Sequence, residues 1–393
     1  MSAPPRIVAH YRELYLPRSE TFIHETVSRH RRYAPVLVTH GRVNPEEFPV
    51  PGPVRLERDP GGRVLTALVR TTSVVLRIRS RRRILRRALD AVRPDVLHAH
   101  FAEEAVVAAP VAHAAGIPLV ATFYGFDATR LPRQRKWRRL LVELFARVGS
   151  VLAEGPHLRD RIISLGCPPD RARVHPIPIR IELFPFDPPR MPADGRIHIL
   201  QACRFVEKKG VDLTIRAFAR IAPEWPSADL WLLGDGPERQ RLEVLARRSG
   251  FGDRIIFHGM RSHEDYAGVL RRAHLFVHPS RTARTGEGEG GAPTVLLEAQ
   301  ARGLPIIASD HADIPFVTSP AALLAPEGEV EAIAAHLRHL LNHPEEWAAR
   351  AAEGRRTVAV NHDPVELNRR LESIYDEFID RSDRSRRAAA GEG

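Results

Sequence analysis

Short apolar runs alternate with helix-length periodic segments along most of the chain. In the first half, strands are predicted at Arg6–His10, Val36–His40, Val96–His100, Leu119–Phe123, Ser150–Ala153 and near Val174–Ile177. Helical periodicity falls between them, at Glu20–Arg32, Val64–Ala91, Glu103–Ala115, Gln134–Val148 and Pro156–Leu165. The alternation pauses at residues 176–195, where six prolines that cannot donate ladder hydrogen bonds mark a linker. It then restarts with strands at Ile197–Ala202, Leu230–Leu233, Arg254–Phe257, Leu275–His278, Pro305–Ala308 and Ala322–Leu324. The second set of helices is Val211–Ile221, Glu238–Arg247, Glu264–Arg271, Thr294–Ala301 and Val330–Leu341, followed by Pro344–Arg355 and Pro364–Ile379. Strand–helix alternation implies a parallel sheet covered on both faces, here twice over. The predicted class is therefore α/β, with two Rossmann-like domains facing across a cleft, and ligands expected outside the carboxyl ends of the strands. The expected boundaries are 1–180, a linker over 181–195, a second domain over 196–360, a helix over 361–380 packing back on the first domain, and a disordered tail over 381–393.

Composition changes this picture little. At 393 residues, with 43% apolar and 27% charged residues, the chain is neither disordered nor fibrous. Neither a membrane-length apolar run nor a secretory h-region is found, and two cysteines make no disulfide framework, so a cytoplasmic protein is expected. Charge adds more. The net +11 is uneven: residues 1–190 hold 32 Lys and Arg against 18 Asp and Glu, and the remainder is slightly acidic. The first half therefore either faces something anionic or carries solvated basic helix faces.

Candidate chemistry gathers after predicted strand ends. Arg204 and Lys209 lie in a loop that reaches Gly210 and a helix start, a combination suited to a diphosphate. The loop Arg281–Ala292 carries Glu287 and Glu289 among glycines that include Gly290 and Gly291, and opens into a helix at Pro293, Thr294 and Val295. Gly286, Gly288 and Gly291 match a dinucleotide fingerprint formally, but Glu287 and Glu289 would repel a pyrophosphate. Main-chain N–H groups and carboxylates in such a loop suit sugar hydroxyls, and Glu298 could accept both bonds of a ribose diol. In the first half, His98 and His100 share one side of a strand end, without the further ligands that zinc needs, and Tyr124 and Asp127 follow the next strand. No serine-nucleophile elbow, phosphate-binding P-loop, zinc-protease motif or Asp-x-Asp metal site is present, so no metal or resident cofactor is expected.

Together these pieces resemble the retaining GT-B glycosyltransferases of family four. The resemblance rests on Arg204…Lys209-Gly210, Leu232-Leu-Gly-Asp-Gly-Pro237, Phe257-His-Gly259 and His278-Pro-Ser280…Glu289…Glu298…Gly303-Leu-Pro305, in that order. The segment Leu16–Ile23, with Glu20 and Thr21, looks like the branch that builds colanic acid and amylovoran. The resemblance implies transfer of a hexose or N-acetylhexosamine from a nucleoside-diphosphate sugar, UDP rather than GDP, to a hydroxyl of a glycan or lipid-linked glycan. By the same resemblance Arg204 and Lys209 bind the diphosphate and neutralise the leaving group without a metal. Glu289 holds the donor sugar with Glu287 as competitor, Glu298 holds the ribose, and Gly259 and Met260 meet the base. Gly290, Gly291, Ala292, Thr294 and Val295 complete the donor site, and Glu20, Thr21, His98, His100, Tyr124 and Asp127 the acceptor side.

Three departures stand out: Gly290 occupies the place of the family's first glutamate, Tyr124 that of a common histidine, and Phe316 that of a common glutamate. The basic segment Ser73–Ala91 reads as an interfacial helix on an anionic membrane, which would make the enzyme peripheral on the inner face, or as an ordinary solvated helix. A small soluble acceptor such as an aminocyclitol is the alternative. A basic membrane- or nucleic-acid-binding protein with a degenerate sugar site is more remote, and no nucleic-acid partner is expected.

Overall fold

The structure, a computed structural model, describes residues 4–17, 20–56, 74–291 and 293–389. The strands of the first half are β1 (Arg6–Tyr11), β2 (Leu14–Tyr15), β3 (Tyr33–Thr39), β4 (Gly41–Arg42), β5 (Val54–Leu56), β6 (Val96–His100), β7 (Leu119–Phe123), β8 (Ser150–Ala153) and β9 (Ala172–Val174). Seven of them form a sheet in the order β5-β3-β1-β6-β7-β8-β9, and β2 pairs with β4 in a short ribbon. In the second half β10 (Ile197–Ala202), β11 (Ala228–Leu233), β12 (Ile255–Gly259), β13 (Leu275–His278), β14 (Ile306–Asp310) and β15 (Leu323–Pro326) take the order β12-β11-β10-β13-β14-β15. Every strand pair in both large sheets is parallel. The second order is that of a Rossmann sheet, whose switch point lies between β10 and β13.

The chain divides into two compact units, one of residues 1–154, 158–178 and 364–393, the other of 155–157 and 179–363. The prolines of 176–195 therefore do not make a free linker. Residues from Ile179 onward belong to the second unit, where the Arg302 guanidinium donates to Asp187 and Phe186 lies against Gly303. The predicted strand near Val174–Ile177 stops at Val174: the His175 amide still donates to Ala153, and Pro176 and Pro178 have no amide to continue the ladder.

The last helix, Pro364–Ala389, belongs to the first unit and covers residues 381–389 of the stretch predicted to be disordered. Leu371, Tyr375, Phe378 and Ile379 pack against Val8, Val96, Val120 and Leu152 on one face of the first sheet. Gly149 admits Phe378 at close range, since a Cβ there would stand 2.9 Å from its ring. Ion pairs pin the helix along its length: Glu372 and Asp376 to Arg32, and Glu377 to Arg173 and Arg381. The Arg381–Glu377 pair, one turn apart, carries the helix into the arginine-rich tail.

The basic helix Val74–Val92 turns its apolar side inward. Ile78, Ile84, Leu85, Ala88 and Leu89 are buried in the unit's core, and Arg79, Arg83, Arg86 and Arg87 are exposed. These five residues are thus used in folding and are not available for insertion into lipid, as in an ordinary solvated helix. Residues 57–73, including the start of that predicted helix, lie outside the described residues.

Because Leu371 is fully buried, Leu371→Ala should remove about 2–5 kcal/mol from the first unit. The check is urea denaturation followed by fluorescence, with the first unit's midpoint lowered and the second unit's unchanged.

Candidate functional site

In a parallel sheet all strand ends point one way, so the loops after β10, β11, β12, β13 and β14 emerge at one edge of the second unit. The loop after β10 ends in a short 3-10 turn, Glu207–Lys209, closed by Gly210 at φ +62°. Any Cβ at Gly210 would stand 2.0 Å from the Pro279 carbonyl oxygen, so only glycine brings the β10 loop onto the β13 loop. That approach delivers the lysines to the glutamates. Lys209 Nζ lies 2.6 Å from Glu289 Oε1, to which the Ser280 hydroxyl also donates at 2.9 Å. Lys208 Nζ lies 3.2 Å from Glu287 Oε1 and 3.9 Å from Glu289 Oε2, and donates to the Gly288 carbonyl.

Glu289 is buried. Burial pushes its carboxyl pKa up, but Lys209, Lys208 and the Lys209 hydrogen bond outweigh that and bring it to about 2. Its own amide donates to His311 Nε2 at 3.1 Å, so the proton of that ring sits on Nδ1, which donates to Glu327 at 2.8 Å. Glu289 is therefore fixed at both backbone and side chain, whereas Glu287 stands at the rim on Lys208.

Glu298 has the opposite environment. It sits in the helix Thr294–Arg302 with no cation beside it; burial pushes its pKa up to about 7, and a hydrogen bond with Tyr266 only partly offsets this. Arg204 is exposed and forms no side-chain hydrogen bond or ion pair with the described residues. Gly259 closes β12 at φ +69° and its carbonyl accepts the Gly234 amide, while Met260 beside it is 72% exposed. Gly290 and Gly291 are buried, Thr294 and Val295 half-buried, and Ala292 lies outside the described residues. The structure thus brings Lys209 and Glu289 into direct contact. Sequence reasoning missed the partners Lys208, Ser280, His311, Glu327 and Tyr266. The adjacent Lys208-Lys209 pair and the His278-Pro-Ser280 turn were the available signals for two of them.

In the first unit, the residues expected to bind an acceptor form a layered group with few exposed atoms. His98 and His100 lie on one side of β6, their rings stacked 4.4 Å apart, but both are buried. His98 bonds to Tyr375 at 2.6 Å and Thr122 at 2.7 Å, and His100 to Tyr124 at 2.8 Å and His10 at 3.0 Å. His10, His98 and His100 place a ring nitrogen each within 4.8 Å of one another, and those nitrogens already have hydrogen-bond partners. Burial holds all three well below the ordinary imidazole pKa.

Asp127 is also buried. One oxygen accepts the Ala102 amide at 2.9 Å, capping the helix Ala102–Ala115, and the other accepts the Tyr124 amide at 2.8 Å. It builds the turn and does not present a carboxylate. Glu20 is clasped by Arg12, which also holds Glu104 at 2.6 Å and stacks on Phe101 at 4.3 Å; Thr21 opens the next helix. Of the predicted acceptor residues on strand ends, only Tyr124 is not fully buried, and it stands half-buried beside Phe22 and Phe101.

Residues 187–357 match the model described as Glycosyl transferases group 1, and residues 20–183 that described as Glycosyltransferase Family 4. Fold and sequence together define a GT-B glycosyltransferase. The chain belongs to the family-four glycosyltransferases, with relatives in exopolysaccharide synthesis. WcaL of Salmonella typhimurium, named for colanic acid biosynthesis, is 27% identical over 288 residues, 71% of this chain and 70% of its own. The amylovoran biosynthesis glycosyltransferase AmsK of Erwinia amylovora is 29% identical over 56% of this chain and 54% of its own. Among solved structures, Anabaena HepE in complex with UDP and glucose matches with TM-score 0.74 at 17% identity, over 95% of this chain and all of that one, a likeness of fold. None of the described helices is long and apolar enough to cross a membrane.

Glu298 sets up a test. A carboxyl whose folded pKa is raised from 4.5 to about 7 binds protons more tightly in the native state, so its burial destabilises the fold progressively as pH rises through that range. Glu298→Gln should therefore raise the melting temperature at pH 8, by the equivalent of about 3 kcal/mol at most, with the gain shrinking toward pH 5. Differential scanning calorimetry across that range measures it.

Proposed function

We propose that this glycosyltransferase uses a nucleoside-diphosphate sugar, UDP before GDP, and transfers a hexose or N-acetylhexosamine with retention to a hydroxyl of a glycan or lipid-linked glycan. The observation that carries the reading is the Lys209–Glu289 contact at the carboxyl edge of the second sheet, with exposed Arg204 in the same loop. In the unliganded protein Lys209 neutralises Glu289. An arriving diphosphate competes for the ammonium, and a sugar hydroxyl donates to the carboxylate so released. Arg204 and Lys209 then stabilise the charge that develops on the departing phosphate, a role that needs no metal ion. Ionised Glu298 accepts the ribose hydroxyls, and Tyr124 faces the acceptor. HepE, which shares the fold, was solved with UDP and with UDP-glucose, which supports UDP as the first donor to try.

A thermal-shift panel of UDP, GDP and their sugars, paired with a transfer assay, tests this. A ligand at about 100 times its Kd should stabilise by about 2.7 kcal/mol. Arg204→Ala and Lys209→Ala should each lose that shift and lower transfer by at least about tenfold, and EDTA should leave transfer intact. Wild-type rates in both variants would refute the mechanism.

Membrane attachment, if the acceptor is lipid-linked, rests on charge alone. Exposed Arg79, Arg83, Arg86 and Arg87 line one helix, and Arg135, Lys136, Arg138 and Arg139 are exposed on the helix Arg135–Phe145 of the same unit. Each basic residue near an anionic bilayer contributes about 1 kcal/mol. Sedimentation with vesicles should show binding that requires anionic lipid and is abolished by salt.

A further inference from the structure

Five side chains inside the first unit are joined end to end. The Tyr124 hydroxyl is 2.8 Å from His100 Nδ1, and His100 Nε2 is 3.0 Å from His10 Nδ1. His10 Nε2 is 2.9 Å from His30 Nε2; His30 Nδ1 is buried without a hydrogen-bond partner of ordinary geometry and has Glu372 Oε1 at 3.5 Å. The chain thus runs from half-buried Tyr124, just after β7, through three buried imidazoles to a carboxylate on the last helix.

Proton counting leaves few arrangements. A neutral imidazole carries one N–H, so each ring donates on one side and accepts on the other. Burial disfavours charge on His10 and His100, and neighbouring histidines and Arg12 add to that. With all three rings neutral, two uniform settings remain, with every bond pointing toward Glu372 or every bond pointing toward Tyr124; a protonated His30 would instead donate on both sides and turn the His10 and His100 bonds toward Tyr124. The second setting leaves the His30 Nδ1 lone pair against the Glu372 carboxylate. Glu372 remains ionised: burial pushes its pKa up, but His30 and the amides of Arg32 and Arg31 lower it to about 2. Those amides donate to Oε1 at 2.7 and 3.0 Å and hold the carboxylate in place.

We infer that Glu372 acts through His30, His10 and His100 to fix Tyr124 as a donor to His100, so that the phenol oxygen meets a ligand only as a hydrogen-bond acceptor. Glu372 is then a positioning residue for a group at the far end of the sheet. The ligand chemistry that fits is a donor, such as a sugar hydroxyl; a phosphate or carbonyl oxygen does not fit. This rests on the reading of Tyr124 as the acceptor-facing group, while the hydrogen-bond direction can be measured without any acceptor.

The test is long-range 1H–15N NMR of histidine side chains in the full-length protein at pH 7. His10 and His100 should carry their proton on Nε2, and His30 on Nδ1. Protons on Nδ1 of His10 and His100, a charged ring in the chain, or stoichiometric zinc by elemental analysis would overturn the inference. Glu372→Gln, which keeps an oxygen for the backbone amides but removes the charge, should give mixed tautomers at His10 and His100. Tyr124→Phe should leave the wild-type tautomers, because the direction is set from the other end. Reversal in Tyr124→Phe with no change in Glu372→Gln would refute it. If the Gln variant does not fold, the wild-type assignments still decide. Expected tautomers combined with undiminished transfer by Tyr124→Phe would sustain the chain and reject the acceptor reading of Tyr124.

Discussion

A carboxylate removed from water must find a cation or take up a proton, and the second unit is arranged around that constraint. Glu289 remains ionised because Lys209 reaches it, and Lys209 reaches it because Gly210 lets two loop backbones touch. Ser280, Lys208 and His311 then fill the remaining positions around it. The result is a preorganised pair of opposite charges at the sheet edge, each able to accept a new partner of the other's sign. Glu298, without a cation, is poised near neutrality and destabilises the unliganded fold when ionised. The two glutamates show how burial yields opposite charge states according to what stands beside each.

The first unit solves its polar burial differently. Its interior holds histidine rings and hydroxyls bonded to one another, beside ion pairs such as Arg12 with Glu20 and Glu104 and Arg32 with Glu372 of the last helix. The basic excess of this half lies on exposed helix faces, while the apolar stripe below belongs to the core.

Much of this was legible in the sequence. Strands such as Val96–His100, Leu119–Phe123, Ile197–Ala202 and Leu275–His278 stand where the apolar runs lie, because both sheets are buried on two faces. Residues 54–56 were missed, being too short to show a pattern, and the ribbon of β2 and β4 has two residues a side. The candidate donor residues were found because loops after parallel strands share an edge. What could not be read was which side chains face outward: the period-two rule put His98 and His100 together but not beneath Tyr124, and Asp127 gave no sign that two amides would claim it. The role of the tail was equally hidden, since an arginine-rich composition does not reveal that Arg381 pairs with Glu377 one turn earlier.

The return of the last helix to the first unit has a consequence for biosynthesis. Val8, Val96, Val120 and Leu152 emerge from the ribosome well before the residues that cover them, which are made only after the second unit. The second unit, continuous apart from three residues, can close while the first still exposes an oily sheet face. Translation order and folding order are thus partly inverted, and the interval between them is when this protein most needs a chaperone.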